Sequence, residues 1–125
     1  MNTKYAQDYR ALAQICSTNH LHLVLGTFSM AVNSHSEPDV LNFYSQTVNM
    51  LPWQIKANEA HTLMLNQIAR ECPAVRLVDT QPGLDGRYTN FTDLVHFTQD
   101  GRDKVAEAFF QGIKETLVQA IGTSL

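Results

Sequence analysis

Apolar residues recur along the chain at helical spacing, then in short runs, then at helical spacing again. Tyr5, Tyr9, Leu12, Ala13 and Cys16 share one helical face, so an amphipathic helix is expected over residues 4–18, with Asn19 as its stop. Leu21 to Phe28 is short, apolar and broken by Gly26, the pattern of a buried parallel strand over 21–28. Ser29 to Asp39 is polar and reads as a loop. Leu41, Tyr44 and Val48 place a short helix within Val40 to Met50, which Pro52 is expected to end or interrupt. Ile55, Ala60, Leu63, Met64, Ile68 and Ala69 predict a helix over 55–71, stopped by Pro73. A second strand follows over 75–79, and Gln81 to Asn90, with Pro82, Gly83 and Gly86, reads as a loop. The last helix, over 98–121, has Thr98 as cap and Asp100 in its first turn, where the helix dipole favours negative charge.

Strands that alternate with helices imply an α/β fold with a parallel sheet and helical crossovers. Ligands of such sheets bind beyond the C-terminal strand ends. The loops after Phe28 and after Asp79 both leave from that end.

Composition narrows the function classes. The chain has 125 residues, 44% hydrophobic and 17% charged, which suits one globular domain. Its net charge is −3 and its basic residues are scattered, so nucleic acid is not an expected partner. The apolar runs are too short for a membrane span, and residues 1–5 lack the apolar stretch of a signal peptide. Cys16 and Cys72 lie far apart and in no metal-binding spacing; they read as free thiols, with a single disulfide left open. His20 and His22 alternate at a strand entrance without a suitably spaced third ligand, so no metal or other cofactor is expected. His35 and His61 are expected in solvent, and Phe43, Tyr44 and Trp53 as core or sheet cover, or as the lining of an acyl or alcohol pocket.

The chemistry gathers at Asp93 and His96. A hydrolytic histidine must be neutral to take a proton, yet stabilised once it becomes imidazolium. A carboxylate on its far nitrogen does both. Three residues of separation in a turn can bring Asp93 to His96, and Gly101 lets the following helix approach that turn closely.

The stretch from Asn90 to Gly101, running on to Val105 and Ala106, resembles the closing block of SGNH/GDSL-type hydrolases, an Asp-x-x-His pair followed by a glycine and a terminal helix. The upstream order, a helix before Leu21, a strand ending Gly26-Thr27-Phe28, a helix with Asn58 and Asn66 and a strand ending Val78-Asp79, is similar to that family's final two strands. The resemblance implies the C-terminal part of a flavodoxin-like, three-layer α/β/α fold and a carboxylic-ester hydrolase, with His96 as acid/base and Asp93 as its orienting partner. It also implies a GDS-type serine and a GxND-type asparagine block, and neither occurs in this sequence. Ser29, after the first strand, is the nucleophile candidate, although Gly26-Thr27-Phe28-Ser29 lacks the aspartate of the GDS pattern.

From these readings the chain is expected to be one incomplete SGNH-like domain, inactive alone, with an open sheet edge that invites self-association and lowers stability. The competing expectation is a non-enzymatic interaction module, or a dimer, derived from the same fold. An ester of unspecified class is the expected substrate, and no compartment is assigned.

Overall fold

The computed structural model describes residues 2–122. Its order is α1 (Lys4–Thr18), β1 (Leu23–Gly26), α2 (Pro38–Thr47), α3 (Leu51–Glu71), β2 (Val75–Val78), a 3₁₀ turn at Tyr88–Asn90, and α4 (Gln99–Gly122). The architecture is mixed α/β, and β1 and β2 pair in parallel with Leu23 opposite Val75 and Gly26 opposite Val78.

Strand alternation sorts the side chains between two layers. Leu23, Leu25, Val75 and Leu77 pack with Ala6, Ala13, Met64, Leu65 and Ile68 of α1 and α3. On the other face, Gly112 of α4 lies against the Val78 side chain, and Phe109 lies against Gly26. Arg76 fastens this layer, its Nε donating to the Gly112 carbonyl at 2.9 Å. Leu65 and Ile68 are almost fully enclosed, and burial of each contributes about 1.5–3 kcal/mol.

Alternation also sorts the backbone. Leu23 N–H donates to Ala74 O and Thr27 N–H to Val78 O, both at 3.0 Å. Odd-numbered residues of β1 therefore serve β2, and Val24 and Gly26 direct their N–H and C=O groups to the opposite edge, which has no partner strand among the described residues. No charged residue lies between Arg10 and Glu37, so this edge lacks the lysines and acids that usually protect one.

The elements follow the expected order with shifted bounds. Helix α1 runs over Lys4–Thr18; Thr3 Oγ1 accepts from Ala6 N–H at its start, and Asn19 closes it. Pro52 does not end a helix but lies in the first turn of α3, where its missing N–H has no partner to lose. Met50, in the left-handed conformation at φ 56°, makes the corner before it, so α3 begins four residues ahead of the expected Ile55. Helix α2 is correspondingly displaced toward the N-terminus, from Val40–Met50 to Pro38–Thr47. Strand β1 is shorter than 21–28: it runs over Leu23–Gly26, and at Thr27, whose N–H still reaches Val78 O, the side chain turns to bond Asp79 across the strand ends. No helix of the described residues is long and apolar enough to cross a membrane. Cys16 and Cys72 are free and half-buried.

Candidate functional site

Because the strands are parallel, their C-terminal ends project two loops in one direction, and side chains knit these loops together. Thr27 Oγ1 donates to Asp79 Oδ1 at 3.0 Å, Thr80 N–H donates to Thr27 Oγ1 at 2.8 Å, and Thr80 Oγ1 donates to Thr27 O at 2.7 Å. Further out, Asp85 accepts from Met30 N–H and from Asn33 Nδ2, each at 2.8 Å, while Gly86 N–H donates to Met30 O. Gly86 sits at φ +72°, and a Cβ there would strike the Asn33 amide. The loop after β1 then reaches the third segment, with Ala31 N–H donating to Leu94 O at 2.9 Å. Met30, Ala31, Val32, Tyr44, Leu51, Ile55, Phe91 and Leu94 form the apolar cluster beneath.

Asp93 and His96 belong to a small hairpin held on this base. Phe91 and Phe97 bridge in antiparallel fashion, with ring centroids 4.8 Å apart. Thr92 N–H donates to His96 O at 2.8 Å and closes the turn. Within it, Asp93 Oδ1 accepts from the Val95 and His96 backbone N–H groups, both at 2.9 Å. Its other oxygen, Oδ2, lies 2.7 Å from His96 Nδ1. A carboxylate only accepts, so the proton of this bond resides on Nδ1, which leaves Nε2 free of the Asp93 contact. Nε2 has no hydrogen-bond partner among the described residues, and the His96 side chain is 76% exposed.

The same bonds hold the Asp93 carboxyl at about 2, below its ordinary 3.8; the Val95 N–H contributes most, then the His96 N–H, then the imidazole. A carboxylate depressed by folding stabilises the fold above its unfolded value, and that contribution disappears as pH falls through the folded one. The Asp93 contribution is therefore complete above pH 3.8 and lost toward pH 2. Urea titrations are expected to show a steeper loss of stability across this window for the wild-type chain than for Asp93→Asn.

Anchoring of the hairpin to α4 depends on Asn90 and Thr98. Thr98 N–H donates to Asn90 O at 2.9 Å, and Thr98 Oγ1 accepts from Gly101 N–H at 3.2 Å as the expected cap. Lys104 Nζ donates to Asn90 Oδ1 at 2.7 Å. A Cβ on Gly101 would overlap the Asn90 carbonyl oxygen, which gives the close approach a definite contact.

Ser29 lies on the same end of the sheet but is enclosed. It is 1% exposed, and its Oγ makes a long bond, 3.5 Å, to Thr80 O. No hydrogen bond joins it to His96 among the described residues.

The remaining expectations divide. His20, His22 and His35 are exposed, and Asp79 ties strand ends together through Thr27 Oγ1 and Gln81 N–H. Tyr44 is buried, whereas Phe43 and Trp53 are mostly exposed, so neither of these two packs as core. His61 is not a solvated helix-surface residue. It is half-buried beside Tyr5 and Tyr9, at ring separations of 5.8 and 6.1 Å, and burial pushes its pKa down. Neither this placement nor the Asp85 clamp leaves a periodic signal in the sequence; the turn residues Gly83 and Gly86 mark only that a loop is there. No group of three histidine, cysteine or acidic residues able to hold a metal occurs among the described residues. Comparison with family models, with curated proteins and with solved structures finds no match for this chain.

Proposed function

We propose that this chain is the C-terminal portion of an SGNH/GDSL-type carboxylic-ester hydrolase of flavodoxin-like layering, with His96 as acid/base and Asp93 as its orienting residue. The observation that carries the reading is the Asp93–His96 pair, bonded at 2.7 Å through Nδ1, on loops beyond the C-terminal ends of a parallel sheet. In the proposed reaction a serine hydroxyl, supplied by another segment, attacks the ester carbonyl while His96 Nε2 takes its proton. His96 then returns that proton to the leaving alcohol. A water molecule repeats the sequence on the acyl-serine and releases the acid and the free hydroxyl. Asp93 stabilises the imidazolium in both halves.

The sequence has no GDS-type serine and no GxND-type asparagine, so the 125-residue chain by itself is expected to leave a serine-directed fluorophosphonate unreacted. Labelling that appears in the isolated chain and disappears in Ser29→Ala would make Ser29 the nucleophile and overturn this division of roles.

A second reading, a self-associating interaction module, is favoured by the unpaired, charge-free edge of β1. Sedimentation of the isolated chain is expected to show concentration-dependent association, and Val24→Lys to shift it toward monomer. Addition of a segment bearing the serine and asparagine blocks distinguishes the readings: association that it suppresses supports the hydrolase, and association that it leaves untouched supports the module.

A further inference from the structure

A cleft of about 520 Å³ opens between α1, α3 and the end of β1, with aromatic walls formed by Tyr5, Tyr9, Phe28 and Trp53. Asn58 and His61, one helical turn apart on α3, complete its wall. No aspartate, glutamate, lysine or arginine lines it. A charged ligand would find no counter-charge there, and a planar apolar one finds rings on several sides.

Two polar atoms give the cleft a chemical preference. Asn58 Oδ1 and His61 Nε2 are the buried side-chain atoms without a hydrogen-bond partner among the described residues. Both residues line this cleft, and Asn58 also lines the neighbouring one beside Asp85. Buried polar groups in folded proteins are nearly always paired, so two unpaired neighbours mark a place where a partner is gained on binding. Asn58 Oδ1 needs a donor, and His61 Nε2 accepts or donates according to its tautomer. A hydroxyl group meets both needs, because it gives one proton and keeps its lone pairs. Both atoms are shielded from solvent, so contact requires the two side chains to turn toward the cleft.

We propose that this cleft binds a neutral, hydroxylated aromatic ring, a phenol-like small molecule, with the ring among Tyr5, Tyr9 and Trp53 and the hydroxyl on Asn58 and His61. Val95 forms part of the rim, so the bound ring would lie beside the Asp93–His96 hairpin. The proposal does not rest on the hydrolase reading, since none of its contacts uses His96.

The test is equilibrium binding to the whole chain, read by NMR from the indole N–H of the single tryptophan, Trp53, and from the His61 ring protons. The probes are 4-ethylphenol and 4-ethylanisole, which differ in whether the ring oxygen can donate. The phenol is expected to shift both signals saturably and to bind about tenfold more tightly than the methyl ether, the worth of one good hydrogen bond. Asn58→Leu and His61→Phe are expected to reduce that preference to less than about twofold while ring binding persists. Equal affinity for the two probes, no saturable shift, or a preference that survives both substitutions overturns the proposal. The wild-type comparison decides it even if either variant fails to fold.

Discussion

Joined in frame to a segment that supplies a GDS-type serine and a GxND-type asparagine, this chain is expected to complete an ester hydrolase whose kcat falls on the order of 10⁶-fold in His96→Ala. The size of the effect follows from the geometry. Nε2 of His96 has no hydrogen-bond partner among the described residues and the side chain is exposed, while Nδ1 lies 2.7 Å from Asp93 Oδ2. Without the imidazole, a serine hydroxyl has no acceptor for its proton and the leaving alkoxide no donor. Asp93→Ala is expected to cost less, on the order of 10⁴-fold, because the base remains and only its tautomer and charge support are lost. It also frees the N–H groups of Val95 and His96, so part of its cost is disorder of the turn. Initial rates on 4-nitrophenyl acetate, with far-UV circular dichroism to verify folding, separate the two effects. Retention of most of the activity in His96→Ala would falsify its assignment as the base.

Gly101→Ala is expected to destabilise the chain by about 1–3 kcal/mol, although alanine is ordinarily the better helix former. The added methyl would overlap the Asn90 carbonyl oxygen and press on the Phe97 ring. A backbone atom cannot turn aside as a flexible side chain does, so α4 or the 3₁₀ turn must shift. Asn90 also anchors Thr98 N–H and Lys104, hence the displacement spreads to the hairpin carrying Asp93 and His96. Gly122→Ala supplies the control: a Cβ there meets nothing within 4 Å among the described residues, and its urea midpoint is expected to match wild type or slightly exceed it. An unchanged midpoint for Gly101→Ala would show that the helix start has slack the packing does not reveal. For a domain with total stability of about 5–15 kcal/mol, the expected loss is a large fraction.

The parts legible in the sequence are those whose partners are close in the chain. Helix α1 could be bounded at Thr18 because its apolar face and its Asn19 stop are both local. Asp93 and His96 could be paired for the same reason, being three residues apart. The start of α3 was misjudged because proline blocks a helix interior yet suits a first turn, and which applies depends on the left-handed corner at Met50. His61 was misplaced because helical periodicity says nothing of what covers a given face; Tyr5 and Tyr9, far back in the chain, provide that cover. The clamp at Asp85 was invisible for a related reason, since it binds Met30 and Asn33 across more than fifty residues. Ser29 illustrates the converse: its position after the strand is legible, but its enclosure by a strand-end network is not, since no spacing rule describes that network.

The hairpin closed by Phe91 and Phe97 has a consequence for how any larger enzyme would be put together. In many hydrolases the acid and the base arrive on distant stretches, and their alignment depends on the whole molecule docking correctly. In the proposed hydrolase four successive residues would carry both, so the imidazole would be held by Asp93 before any second piece arrived. Docking would then have to set the gap between that nitrogen and the incoming serine oxygen, and the placement of the asparagine block, but not the pairing of acid and base. An imperfect junction would slow turnover by stretching the gap while the tautomer stayed correct, and the unit could be carried between scaffolds intact.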